Sequence, residues 1–298
     1  DVGGFFKSPD QELLLRWYQL GAFCYPFFRC HCHHLSERRE PYMLKGDYHT
    51  GAVNAIQERY RLLPLWYTLS YQTTLDGQPI VRPLWWEFDD PEVQEIETQV
   101  MIGDSLMVVP SLSKEENTIH AYIPRTRWFE FRSLKELKKG GEVVNIPYDK
   151  EFVPLFIKGG KVVFTKQQIR KASIPMIPDP FTLIIAVDDH NCASGEIYID
   201  DGHTYNYSVN NAKIYRRVSF DGQILTSTEI EQSNRDSDFF NEYSATIERI
   251  KIGGLEKMPT AIKTQDGLEL DIITEDGVLQ ITTSLDMKYD FTLTFEYE

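Results

Sequence analysis

The stretch DVGGFFKSPDQELLLRWYQLGAFCYPFFRCHC (Asp1–Cys32) decides the fold class of this 298-residue chain. Ser8-Pro9-Asp10-Gln11 reads as a helix start: an N-cap serine, a proline at the first helical position, and a glutamine placed to complete a capping box. Leu13, Trp17 and Leu20 recur at helical spacing, which predicts a buried stripe with Gln11, Glu12, Arg16 and Gln19 turned to water. Gly21 and Pro26 are expected to end the helix. Tyr25–Cys32 (YPFFRCHC) is short and aromatic, the pattern of a buried strand in a parallel sheet or barrel.

Beyond a polar loop, Val53, Ile56, Tyr60, Leu63 and Tyr67 again keep helical spacing and predict a long amphipathic helix, kinked at Pro64. Turn, helix, strand, loop, helix is the rhythm of an α/β barrel or a doubly wound sheet. In either, DVGGFF (Asp1–Phe6) and RCHC fall just past strand ends, where α/β folds gather their sites.

From Pro79 the period becomes strand-like, through IVRPLWWEF, SLMVVPSL, TIHAYIP, RWFEFRS, EVVNIPY and FVPLFIKGGKVVF. Short strands punctuated by glycine and proline predict a β-sandwich. Lys166–Ser173 and the proline-rich IPMIPDP (Ile174–Pro180) read as a linker into a second all-β unit. Its Asp-Gly pairs at 201, 221, 266 and 276 are turn signals between alternating runs.

The composition, 42% hydrophobic and 13% aromatic, supports a sizeable core. A net charge of −14 argues against nucleic acid or an anionic membrane as partner and suits a neutral ligand such as a sugar. No apolar run is long enough to span a bilayer, and the basic-then-apolar order of a signal peptide is missing.

The cluster Cys24, Cys30, His31, Cys32, His33, His34 invites a zinc reading, but strand geometry splits Cys30 and Cys32 from His31, and no second spaced pair completes a tetrahedron. Buried free thiols are the plainer expectation. His31 and Arg29 share a strand face beside Phe27 and Phe28; they are either a structural pair holding the loop or a donor set for a polyhydroxylated ligand, with Phe5 stacking on a ring. Asp1 with Gly3 and Gly4 is either a catalytic carboxylate followed by a turn that lets the backbone approach a ligand or a plain strand-to-helix turn. Arg38, Arg39 and Glu40 read as scaffold salt bridges. Asp200-Asp201-Gly202-His203 fits no calcium-loop spacing and reads as a hairpin turn.

Taken together, DVGGFFKSPDQELLLRWYQLGAF, PFFRCH, RREP, ERYRLLPLWYTL, RPLWWEF, IGDSLMVVP, FIKGGKVV and, further on, YIDDGHTYNY resemble glycoside hydrolase family 31, the α-glucosidase family. The resemblance implies a multidomain α/β plus all-β architecture: the last part of a catalytic (β/α)8 barrel over 1–81, a proximal C-terminal β domain over 82–165, and a distal C-terminal β-sandwich over 166–298. It implies retaining removal of terminal α-linked glucose. It also implies that the nucleophile and acid/base, aspartates in WxDMNE-like and GDN-like motifs on earlier barrel strands, lie outside this chain, since neither motif occurs here. Alone, the chain is expected to be inactive, with no catalytic residue of its own. By resemblance it carries substrate-binding residues: His31 of the R-x-H motif, Phe5 in the wall, and Asp1 and Arg29 in support. Cys30 stands where the family often has Asn or Ala.

Within the family the wording is most similar to the members that trim α-1,3-glucose from N-glycans in the endoplasmic reticulum lumen. That closer likeness implies a glucose-terminated oligosaccharide or N-glycan substrate, the remaining N-terminal part of the same enzyme and a noncatalytic β subunit as partners, and no metal or other cofactor. The alternative is a noncatalytic carbohydrate-binding or structural β-sandwich module. Exposed aromatic rows on the strands would favour it, whereas burial of Trp85, Trp86 and Trp128 would favour the enzyme.

Overall fold

A computed structural model describes residues 1–137 and 140–298. In chain order its regular elements are α1 (Gln11–Cys24), α2 (Asp47–Arg61), α3 (Leu63–Asp76), β1 (Val81–Pro83), α4 (Leu84–Glu87), β2 (Val100–Ile102), β3 (Leu106–Val108), β4 (Thr118–Ile123), β5 (Trp128–Glu130), β6 (Glu142–Pro147), β7 (Leu155–Lys158) and β8 (Lys161–Thr165). There follow β9 (Phe181–Ala186), β10 (Ala193–Ile199), α5 (Asn206–Val209), β11 (Ile214–Phe220), β12 (Ile224–Glu231), α6 (Asp238–Glu242), β13 (Thr246–Gly253), β14 (Ala261–Thr264), β15 (Ile272–Glu275), β16 (Val278–Asp286) and β17 (Phe291–Glu296). Two compact units result, the first containing Asp1–Tyr60 and Pro79–Thr126, the second Arg61–Gln78 and Ile157–Glu298.

In the first unit the helix predicted after DVGGFF forms, but its cap lies two residues further on. Asp10, not Ser8, is the N-cap, its Oδ1 accepting from Leu13 N at 2.8 Å. The buried stripe is Leu14, Leu15, Tyr18 and Ala22, while Leu13 is 48% exposed. Arg16 and Gln19, expected in water, are buried: Arg16 donates to Ser111 Oγ, the Ser113 carbonyl and Glu12, and Gln19 Nε2 donates to the Lys150 carbonyl at 2.9 Å. Gly21 sits inside α1, which runs on to Cys24. Tyr25–Cys32 forms no strand. Its β pairing is a parallel bridge between Val2 and Cys30, and Phe27 is 82% exposed.

The long helix predicted around Pro64 is two helices, α2 and α3, with Pro64 in the first turn of the second, where its missing N–H is no loss. Strands β1, β2 and β3 form an antiparallel meander, and β4 and β6 pair separately from Thr118↔Pro147 to Ile123↔Glu142. Trp85 and Trp86 lie on the one-turn helix α4, where a strand was expected, and are half exposed, whereas Trp128 of β5 is fully buried.

The second unit is a ten-stranded sheet of order β14-β17-β12-β11-β10-β8-β9-β13-β16-β15 around an apolar core that includes Phe164, Leu183, Ile197, Phe220, Ile250 and Leu293. Neighbours are antiparallel except β8–β10 and β9–β13. The Asp-Gly signals at 221, 266 and 276 act as turns, whereas Asp200–His203, read as a hairpin turn, leads from β10 into the short helix α5. Asp276 and Gly277, both at positive φ (50° and 79°), turn β15 into β16, the geometry of a two-residue hairpin. Helix α3 lies on β10 and β8, and Tyr71 stacks on Tyr198 with ring centroids 3.6 Å apart and planes 8° from parallel. The Lys166–Pro180 linker is tied down: buried Lys166 Nζ donates to the carbonyls of Met176 and Ile177 at 2.7 Å, and Arg170 grips Asp179 with Nε and Nη2.

The chain thus has the fold read from its sequence: the tail of a (β/α)8 barrel followed by C-terminal antiparallel β-sandwich architecture.

Candidate functional site

The site residues lie on two backbone segments that meet edge to edge. Gly3 and Gly4, both at positive φ (89° and 77°), reverse the chain after Val2, and Gly4 N donates to the Asp1 carbonyl at 2.9 Å. Val2 is fully buried and zips onto the second segment, its N–H donating to the Arg29 carbonyl at 2.9 Å; His33 N donates to the Phe5 carbonyl at 2.8 Å. These bonds bring the four expected residues together. Arg29 Nε donates to Asp1 Oδ1 at 2.9 Å, and the Phe5 and His31 rings lie 5.5 Å apart, tilted by 31°. Arg29 is 65% exposed, so this ion pair orients the side chains and adds little stability. His31 is exposed, with both faces of chemistry open to a ligand: an imidazole to hydrogen-bond and an aromatic wall beside it.

The aromatic surroundings differ from those expected. Phe27 points to solvent, and Phe28 packs on Tyr18 (centroids 6.4 Å). Instead Phe6 and His33 surround Phe5, at 4.8 and 5.8 Å, and the His33 and His34 rings lie 4.1 Å apart, tilted by 39°. Among the described residues no group of three His, Cys, Asp or Glu side chains is placed to hold a metal ion, and all four cysteines are free. Burial pushes the Cys30 thiol up, against the opposing effect of its hydrogen bond with Tyr18.

Two arginines that the sequence did not place at the site hold this arrangement. Arg39, read as a scaffold salt-bridge residue, is 1% exposed and points its guanidinium at the carbonyls of the first segment: Phe5 at 3.3 Å, Phe6 at 3.1 Å, and Lys7. Its stem packs against Gly3, where a Cβ would lie 2.8 Å from Arg39 Cδ and 2.9 Å from Leu14 Cδ1. Arg39's own carbonyl accepts from Tyr18 Oη at 2.5 Å, which fixes the loop to α1. Arg59 of α2 donates to the carbonyls of Ala22 at 3.0 Å, Tyr25 and Pro26, satisfying the open end of α1 where the chain turns toward Arg29. Burial pushes Arg59 down to about 10, a measure of how fully that guanidinium has left water. The signal for Arg39 was present in RREP, but a run of alternating charge does not show which member turns inward.

Two family models match the chain: the glycosyl hydrolases family 31 TIM-barrel domain over residues 1–69 and the glycosyl hydrolase family 31 C-terminal domain over 77–163. The chain belongs to glycoside hydrolase family 31. It is 39% identical over 268 residues to neutral alpha-glucosidase AB of Mus musculus, covering 89% of this chain and 28% of that protein. It is 38% identical over 276 residues to a probable glucan 1,3-alpha-glucosidase of Oryza sativa subsp. japonica, covering 91% of this chain and 30% of that protein. Its fold matches, at a TM-score of 0.90 and 29% identity, a chain of the crystal structure of an ER glucosidase II heterodimeric complex of catalytic subunit and regulatory-subunit binding domain, over 99% of this chain and 34% of that one. The chain therefore spans about 30% of the length of the curated relatives it matches. Among the described residues no helix is long and apolar enough to cross a membrane.

Proposed function

We propose that this chain is the C-terminal portion of a retaining α-glucosidase that removes terminal α-linked glucose, and that the glucose is the α-1,3-linked residue of N-glycans, trimmed in the endoplasmic reticulum lumen during glycoprotein processing. The observation that carries this reading is the junction of Asp1–Phe6 with Arg29–His33, which sets an imidazole, an aromatic ring and a guanidinium–carboxylate pair on one surface. Those groups match a pyranose: donors and acceptors for its hydroxyls and a ring for its apolar face. His31 hydrogen-bonds a hydroxyl of the bound glucose, Phe5 walls the pocket, and the Arg29–Asp1 pair keeps the edge in register. The names of the mouse and rice relatives support the glucosidase activity and the linkage, and the heterodimeric glucosidase II structure supports the compartment and a noncatalytic β subunit as partner.

Retaining hydrolysis uses two carboxyl groups about 5–5.5 Å apart, one attacking the anomeric carbon and one serving as acid and then base. In our reading both belong to aspartates on barrel strands that precede this chain in the whole enzyme, so the remaining N-terminal part is an obligate partner and no cofactor is required. Residues 1–81 then complete the barrel, 82–165 form the proximal β domain, and 166–298 the distal one.

The test is His31→Ala in the complete enzyme. Loss of one hydrogen bond to a sugar hydroxyl, about 1.5–3 kcal/mol if charge-assisted, lowers kcat/KM about 10- to 150-fold. An unchanged kcat/KM would remove His31 from the sugar site, and hydrolysis of an aryl α-glucoside by the 298-residue chain alone would overturn the placement of the catalytic pair.

A further inference from the structure

We propose that the second unit carries its own carbohydrate-binding site, a groove that takes a neutral pyranose and is independent of the Asp1–His33 surface. The groove has a volume of about 600 Å³, within the range of small-molecule sites, and residues of both the α5 and α6 segments line it. Its lining combines amides with separated carboxylates, the residue types that pair with vicinal sugar hydroxyls as both donor and acceptor. The amides are set in place: Asn210 Nδ2 donates to Asn206 Oδ1 at 3.2 Å, and Asn234 Nδ2 donates to the Asn210 carbonyl at 3.0 Å. Asp236 and Glu242 add exposed acceptors on the groove.

Three observations select the ligand. Acidic lining on a chain of net charge −14 repels phosphorylated or anionic ligands. The carboxylates do not converge as a cation site does, since no three metal-ligating side chains meet among the described residues. Beside Asn206, Tyr205 is 78% exposed and its ring lies 6.3 Å from that of Tyr207, a paired aromatic face at the edge of a polar groove. An exposed aromatic next to interlocked amides is the combination that stacks on a sugar ring and reads its hydroxyls.

The experiment titrates methyl α-D-glucopyranoside and methyl α-D-mannopyranoside into the 298-residue chain by calorimetry, with and without a chelator. Three variants accompany it: the double variant Asp236→Ala, Glu242→Ala; Tyr205→Ala; and His31→Ala. All of these side chains are exposed, so the fold is retained, and matching melting curves check this. The expected result is saturable, chelator-insensitive binding of at least one glycoside, weakened tenfold or more by each groove variant and unchanged by His31→Ala. No saturable binding, or binding indifferent to both groove variants, overturns the proposal. Loss in His31→Ala alone assigns the sugar to the other surface and leaves the glucosidase reading standing. Binding abolished by the chelator replaces the sugar site with a cation site.

Discussion

Arg39→Ala is the perturbation that most directly tests how the candidate site is built. The guanidinium serves three carbonyls. Phe5's carbonyl also accepts from His33 N at 2.8 Å and keeps that bond, while those of Phe6 and Lys7, on exposed residues, return to water. Two charge-assisted bonds are therefore lost, at about 1.5–3 kcal/mol each, and rehydration of their carbonyls brings the cost to the low end, about 3 kcal/mol. A tenfold change in population corresponds to about 1.4 kcal/mol, so the DVGGFF turn should open about 100-fold more often. Hydrogen exchange reads this where it matters: the His33 and Val2 amides, which join the two segments, should lose about 100-fold in protection, while amides of β16 keep theirs. Arg39→Lys, which keeps the charge but not the planar fork, should fall between. Unchanged protection of His33 and Val2 in Arg39→Ala would show that the segments hold together without the arginine.

Gly3→Ala should cost about 2–4 kcal/mol, since it adds backbone strain at positive φ to a clash with Arg39 Cδ and Leu14 Cδ1; Gly4→Ala, with nothing within 4 Å of its Cβ, should cost about 1 kcal/mol in the same melting assay. Equal costs would remove the close approach at Gly3 from the account. Tyr71→Ala should lower stability by about 3–5 kcal/mol through the lost stack on Tyr198, whereas Tyr71→Phe should cost about 1 kcal/mol for the hydroxyl between Lys213 and Glu231, both read by urea unfolding. Burial pushes Lys166 down to about 8 from an ordinary 10.5, despite the opposing pull of Asp179. Between those pH values the unfolded chain holds a proton that the folded one has released, so wild type should gain on the order of 3 kcal/mol relative to Lys166→Met as pH rises through the window. A loss over the same range would refute the assignment.

Local chemistry was legible and long-range chemistry was not. Asp276-Gly277 announced its hairpin because a two-residue turn is fixed by the φ its own residues accept. Helix α1 was legible as a helix, but not by face: three leucines in a row, Leu13–Leu15, let the apolar phase fall on either side, and the buried side was the later one. Arg16 and Gln19 looked like solvent residues because their partners, Ser113 and Lys150, are far along the chain. Tyr25–Cys32 had a strand's composition, yet a strand is made by its neighbours, and among the described residues Val2 alone bridges to it. His31, Arg29 and Phe5 could be grouped from their own chemistry, and Asp1 joined them through the family wording; what the sequence could not show was the inward turn of Arg39 and Arg59, on which their meeting depends.

The packing of α3 on β10 has a consequence for when the second unit can form. Thr68 Oγ1 accepts from Tyr198 N across 130 residues of sequence. During synthesis α3 emerges first and must wait, its Tyr71 face uncovered, until β10 and β11 have been made. Contacts of such separation close large loops and form late, so this helix is a latch set early and engaged last. A polypeptide beginning at Lys161 would have the ten strands of the sheet and lack the latch, leaving Tyr198 and Tyr215 open to water.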